Sequence, residues 1–111
     1  MTSNVHKLAK EHGITIALKG WVNIISDGEQ FAAIKRLTPA MTVGGTGDVL
    51  SGLAAGLLAR MKPFDAAVVA VYVNGLAGNL AFKQAGLHII ATDLIDNLPL
   101  AMKKFDSIRY T

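Results

Sequence analysis

The chain has 111 residues and a formal net charge of +3, from 11 Lys and Arg against 8 Asp and Glu residues. Hydrophobic residues make up 51% and charged residues 17%, which excludes a disordered tail and predicts that much of the chain is buried. Because cysteine is absent, a disulfide scaffold, a thiolate nucleophile and a cysteine-ligated zinc site are excluded as well.

The positive charges are spread along the chain, with no run longer than two. Nucleic-acid binding needs clustered cations, so we expect no nucleic-acid partner. Residues 1–8 hold no apolar core of the signal-peptide type, and with the absence of cysteine this favours a cytoplasmic location. The three histidines show no metal-ligand spacing, so no protein-held metal is predicted.

The first 34 residues predict one helix and three strands. Ser3 is a suitable N-cap for a short helix over 3–11, and Gly13 ends that helix. Apolar runs predict the strands, and Asp27-Gly28 predicts a tight turn between the last two. The predicted strands are 14–18, 22–25 and 30–34.

A loop over 35–41, which contains Pro39, and three helices follow. Pro63 breaks the chain after the first helix and Gly86 closes the second. The predicted helices are 46–60, 65–84 and a last one that Thr92 or Asp93 caps and that ends near Lys104.

Two apolar stretches, 49–59 and 66–82, raise the alternative of a membrane hairpin. A spanning helix needs about 20 apolar residues, but the first stretch stops at Arg60. The second carries Asn74 and Asn79, which we expect to pair with buried backbone groups. We therefore predict two buried helices and no membrane partner.

These helices are apolar on nearly all sides, which predicts that they cover a sheet larger than three short strands. We interpret this as a larger fold of which part is missing or is supplied by another chain. The expected partner is a second copy or the missing half.

The sharpest motif is the glycine-rich run VGGTGDVLSG at 43–52. Glycines let the backbone turn tightly and approach a ligand, and a following helix points free N–H groups at an anion. The spacing leaves open a phosphate site or a structural turn, with Asp48 as a helix cap or as a base. The run matches neither the P-loop nor the dinucleotide fingerprint.

If the run is a site, its chemistry favours phosphoryl transfer. Backbone N–H groups of Gly45, Thr46 and Gly47 would stabilise charge on the transferring group, as an anion hole. Asp48 could accept a proton from an attacking hydroxyl.

The run GGTGDVLSG resembles the anion-hole motif of the ribokinase-like superfamily. With Met-Thr-Val at 41–43, Leu-Ala-Ala-Gly-Leu-Leu at 53–58 and Ala-Leu-Lys-Gly at 17–20, the chain resembles the ADP- or ATP-dependent NAD(P)H-hydrate dehydratase family. This resemblance implies an α/β fold, the C-terminal part of a ribokinase-like three-layer sandwich. Residues 1–111 would form a single partial domain, a short β-meander followed by three helices.

The resemblance also implies a function, the repair of hydrated NADH and NADPH (NADHX and NADPHX). A phosphoryl group is placed on the hydrate hydroxyl and phosphate is then eliminated. The nucleotide is ADP or ATP, with Mg²⁺ held mainly through phosphates and water. Asp48 would be the catalytic base and contact the substrate. The residues implied in nucleotide binding are Lys19, Gly20, Trp21, Val22, Asn23 and Gly47.

Two alternatives remain. One is a small-molecule kinase of the same superfamily, with the same base and anion hole acting on a hydroxymethyl or sugar hydroxyl. The other is a non-catalytic fragment that needs the missing half. The run Val-Leu-Ser-Gly at 49–52 favours the dehydratase, whose activity is expected in the full-length protein.

Overall fold

The structure is a computed structural model and describes residues 2–35, 46–86 and 90–103. Every predicted helix and strand is present, in the predicted order, and the predicted loop at 35–41 lies outside the described residues except for Lys35, which ends a strand. The elements are α1 (Thr2–His12), β1 (Ile16–Leu18), β2 (Val22–Ser26), β3 (Phe31–Lys35), α2 (Thr46–Leu58), α3 (Pro63–Ala85) and α4 (Ala91–Lys103).

The three strands form an antiparallel meander in the order β1-β2-β3. Ile25 and Ser26 are neighbours on the central strand and are both fully buried. Because neighbouring strand residues point to opposite faces, both faces of the sheet are covered here. α1 covers one face, where His6 Nδ1 lies 2.8 Å from Ser26 Oγ, and α3 also packs against β2 and β3.

The second helical layer contains α2, α3 and α4, with α3 at its centre. Val49, near the start of α2, packs on the cluster of Ala81 and Leu94. Ala54 and Leu58, near the end of α2, line one cleft with Ala66 at the start of α3. These contacts show that α2 and α3 run antiparallel. The N-terminus of α2 therefore lies beside the C-terminal half of α3.

The end of α1 explains why β1 is shorter than predicted. Gly13 has φ +63°, and the Ile14 N–H donates to the Ala9 carbonyl at 3.1 Å. This is the hydrogen bond of a Schellman motif, which occupies the backbone of Ile14 and delays the strand to Ile16. The predicted N-cap is wrong, because α1 begins at Thr2 and Ser3 lies inside it.

Pro63 begins α3, where its fixed φ and missing N–H suit the first helical turn. Gly86 closes α3 as predicted, with φ 66° and its N–H bonded to the Phe82 carbonyl at 2.7 Å. Thr92 and Asp93 are the second and third residues of α4, so neither is its N-cap. Asp93 Oδ2 accepts a hydrogen bond from the Ile90 N–H at 2.7 Å, the reciprocal half of a capping box.

Among the described residues one helix, Pro63–Gln84, is long and apolar enough to cross a membrane by length and composition. In its most apolar window 44% of the residues are buried inside the structure, and a core helix of a soluble protein passes the same test. The absence of a membrane partner therefore stays a prediction.

The turn between β2 and β3 is held by one carboxylate. The N–H groups of Gln30 and Glu29 donate to Asp27 Oδ1 at 2.7 Å and 2.9 Å. These hydrogen bonds favour the charged form and hold the pKa of Asp27 below its ordinary value.

This depressed pKa predicts a pH dependence of stability. A carboxyl group whose pKa is lower in the folded state stabilises the fold above its unfolded pKa, and this contribution is lost as pH falls through the folded pKa. We expect Asp27→Asn to flatten the decline of the free energy of unfolding below about pH 4, measured by urea titration at several pH values. Glu29→Gln, at the exposed neighbouring acid, is the control and should keep the wild-type slope.

Candidate functional site

The first turn of α2 supplies backbone N–H groups where the sequence predicts an anion site. The helix has 13 residues and begins at Thr46, so its first N–H groups have no partner within the helix. Gly47 is exposed, and a Cβ placed on it would meet no described atom within 4 Å. Space and N–H donors are therefore present together at this position.

Asp48 lies in the first turn of α2 with an exposed side chain. A carboxylate there is favoured by the helix dipole, so the position suits a structural role as well as a chemical one. Within the described part of the chain, no hydrogen bond ties down its carboxylate. The group is thus accessible to a substrate hydroxyl.

Ser51 lies one helical turn after Gly47 and makes a contact that the motif did not predict. Its Oγ donates to the Gly47 carbonyl at 2.9 Å, one helical turn back. This bond ties Gly47 into the helix and fixes the direction of its backbone. The sequence contains the signal for this hydrogen bond, because a serine inside a helix often donates to the carbonyl four residues earlier.

The residues implied in nucleotide binding, Lys19 to Asn23, comprise the turn between β1 and β2 (residues 19–21) and the first two residues of β2. The Gly20 N–H donates to Asn23 Oδ1 at 3.2 Å, which closes the turn. Lys19 and Val22 are exposed, and Trp21 is 74% exposed. The turn therefore presents a cation and a large aromatic surface to solvent.

The structure groups the predicted site residues into two sets. Lys19 to Asn23 lie in the β1–β2 turn and at the start of β2, while Gly47 and Asp48 lie in the first turn of α2. The two sets are linked through α3, which packs against both β2 and α2. Gly45 of the predicted anion hole lies outside the described residues, and of Thr46 only the helical backbone is described.

The described residues contain no group of three or more His, Asp or Glu side chains that could hold a metal ion.

Asn74 corrects one expectation. It is 2% exposed in α3, and its Oδ1 has no hydrogen-bond partner among the described residues. The prediction that it pairs with buried backbone is thus wrong for this atom. An unpaired buried acceptor costs about 1–3 kcal/mol.

Comparison with known proteins identifies the fold. A ribokinase-like superfamily protein from Enterococcus faecalis superposes with a TM-score of 0.82 and 31% identity, over 95% of this chain and 37% of that one. The ADP/ATP-dependent NAD(P)H-hydrate dehydratase from Bacillus subtilis, co-crystallised with ATP/Mg²⁺, superposes with a TM-score of 0.86 and 29% identity. The match covers 95% of this chain and 39% of that one. The α/β ribokinase-like fold class is confirmed.

Sequence comparison agrees with the fold. The chain is 57% identical, over 107 residues, to the ADP-dependent (S)-NAD(P)H-hydrate dehydratase of Cenarchaeum symbiosum. The match covers 96% of this chain and 37% of that protein, so the chain spans well under half of its relative. The profile of the family described as NAD(P)H-hydrate dehydratase matches residues 2–100, and the chain therefore belongs to the NAD(P)H-hydrate dehydratase family.

Proposed function

We propose that the chain carries the phosphate-binding and proton-accepting part of a nucleotide-dependent NAD(P)H-hydrate dehydratase. In the first step the hydroxyl oxygen of the hydrate attacks the terminal phosphorus of ADP or ATP. The bond from that phosphorus to the nucleotide breaks, and the hydroxyl proton passes to Asp48. In the second step the new phosphate ester leaves as phosphate with the C–O electron pair, while a proton is lost from the ring and the double bond re-forms.

One observation carries this proposal: an exposed carboxylate, Asp48, lies in the same helical turn as an open backbone at Gly47. N–H groups at a helix N-terminus stabilise the charge that develops on a transferring phosphoryl group. A carboxylate beside them is placed to accept the proton of the attacking hydroxyl. One helical turn therefore offers both a backbone group that can stabilise the transferring phosphoryl group, at Gly47, and a carboxylate that can accept the hydroxyl proton, Asp48.

The β1–β2 turn supports a role in nucleotide binding. Lys19 can contact phosphate as a point charge, and the exposed ring of Trp21 offers a surface for an adenine base. Mg²⁺, held by phosphate oxygens and water, would neutralise charge on the phosphates.

The experiment uses a chimaera in which this chain replaces the matching segment of the Cenarchaeum symbiosum relative. We expect it to convert hydrated NADH to NADH in the presence of ADP or ATP and Mg²⁺, followed by the absorbance of NADH. A panel of hydroxymethyl and sugar substrates tests the kinase alternative. Phosphorylation of one of these without turnover of the hydrate would contradict the proposal.

A second prediction separates binding from folding at Gly47. Gly47→Ala should leave the thermal midpoint of the chimaera nearly unchanged, because the added Cβ meets no described atom within 4 Å. It should weaken ATP binding by roughly tenfold, about 1.4 kcal/mol, because the methyl group occupies the space where phosphate approaches the backbone. Isothermal titration measures the affinity.

Gly52→Ala is the matched control, since a Cβ there also meets open space but lies beyond the first turn of α2. Equal weakening of ATP binding by both variants would argue against a phosphate contact at Gly47.

A further inference from the structure

The outer edge of β3 is open in the described part of the chain. β3 pairs with β2 on one side, and no other described strand lies on its other side. The Asp27 N–H donates to the Gln30 carbonyl at 3.2 Å, so the backbone groups of Gln30 point toward β2. Hydrogen-bonded positions alternate along an antiparallel strand. The N–H and C=O groups of Phe31, Ala33 and Lys35 therefore point away from β2, toward the open edge.

This edge lacks the features that protect an exposed strand from pairing. Natural edge strands are blunted by proline, by a bulge or by several charged side chains. The sequence of β3 is Phe-Ala-Ala-Ile-Lys, and its five residues pair with β2 one to one, without a bulge. Phe31 is 54% exposed, and Lys35, at the end, is the one charged residue of the strand. Such an edge is a template for another strand.

The sequence of β3 is complementary to itself in the antiparallel direction. A two-fold axis at Ala33 would pair all five residues with those of a second copy, with Phe31 of one copy opposite Lys35 of the other. Both side chains would lie on one face of the joined sheet, where an ammonium group can contact an aromatic ring. Diagonal neighbours are also within reach, so Lys35 would lie near the exposed Glu29 of the other copy, an opposite charge.

The neighbouring registers fit less well. A shift of two residues in either direction would pair only residues 31–33 or only residues 33–35 of each strand. The second of these would also place the two Lys35 side chains diagonally opposite each other, where like charges repel. Length and charge therefore favour the register centred on Ala33.

We infer that the outer edge of β3 docks a second copy of this chain, which joins the two three-stranded sheets into one antiparallel sheet across a two-fold axis. A two-fold interface uses the same patch on both copies, so the contact closes at a dimer. Strands of five residues give a small interface, and we expect the dimer to dissociate on dilution. The contact does not include Gly47 or Asp48, so it can be tested separately from the proposed function.

The test measures the mass of the chimaera by sedimentation equilibrium over a range of concentrations, with amide hydrogen exchange at both ends of the range. We expect a monomer–dimer equilibrium. In the dimer, exchange of the Phe31, Ala33 and Lys35 amides should slow by roughly tenfold or more. The Ala32 and Ile34 amides are the internal control, because they point toward β2 in the monomer and should change less.

Two variants separate pairing of the edge from folding. Ala33→Pro removes an N–H that points away from β2, so it should weaken the dimer by roughly tenfold or more and keep the circular dichroism of the fold. Ala33→Ser keeps this N–H and is the matched control. Lys35→Glu should weaken the dimer by roughly threefold to tenfold, because like charges would then meet at Glu29 of the other copy. Adding Glu29→Lys to the same chain should restore the dimer.

Three results would overturn the inference. The first is a monomer at every concentration up to about 1 mM. The second is a dimer that Ala33→Pro and Lys35→Glu leave intact, or in which the Phe31, Ala33 and Lys35 amides exchange as fast as in the monomer, since another surface would then hold it. The third is slow exchange of these amides in a monomer, which would assign the edge to another segment of the same chain.

Discussion

Asp48→Asn is expected to reduce the turnover of hydrated NADH by the chimaera by roughly 10²–10⁴-fold, the range typical of a lost general base. The amide keeps the size of the side chain and its place in the first turn of α2, but it cannot accept the hydroxyl proton. ATP binding should persist within a few-fold. The measurements are steady-state kinetics by NADH absorbance and isothermal titration of ATP.

Asp65→Asn is the control for this variant. Asp65 is also exposed and also lies in the first turn of a helix, α3, so the two variants lose the same helix-dipole contribution. We expect Asp65→Asn to keep wild-type turnover. A comparable loss in both variants, or full activity of Asp48→Asn, would show that Asp48 acts only on helix stability.

Gly28→Ala is expected to lower the free energy of unfolding of the chain by about 3 kcal/mol. Gly28 has φ +93°, and a Cβ there would lie 2.6 Å from Lys10 Cα and 2.8 Å from Lys10 N. Because these are backbone atoms of α1, the helix itself must move away from the β2–β3 turn. Urea unfolding followed by circular dichroism measures the change.

Gly13→Ala separates the two causes of the lower stability of Gly28→Ala, which are the positive φ and the close approach of α1. Gly13 has φ +63° but a Cβ there would meet open space, so only the conformational cost of about 1 kcal/mol applies. Equal losses at Gly13 and Gly28 would indicate that the close approach of α1 to the turn contributes nothing.

Local patterns predict the elements of this fold well, because periodicity and turn residues act within a few positions. Gly13, Gly86 and the Asp27-Gly28 turn are placed by backbone chemistry that the sequence displays directly. The wrong element boundaries are also explained by contacts between residues close in sequence. Ile14 is apolar and β-branched like a strand residue, but the hydrogen bond to Ala9 uses its backbone for the helix end.

The candidate site is predictable in part. The glycine-rich run identifies Gly47 and Asp48, and both lie at a helix N-terminus as expected. The contact between Gly28 and Lys10 and the cleft between α2 and α3 depend on residues far apart in the chain, which no local pattern reveals. The unpaired Oδ1 of Asn74 is likewise not predictable from a local pattern, since its surroundings are set by packing.

The most direct test of the central claim is the stoichiometry of one turnover of the chimaera with hydrated NADH, ATP and Mg²⁺. The account predicts that NADH, ADP and inorganic phosphate form in equal amounts, since phosphorylation of the hydrate is followed by elimination. Formation of ADP with a stable phosphorylated product and no NADH would contradict it, because the chain would then support phosphoryl transfer without dehydration.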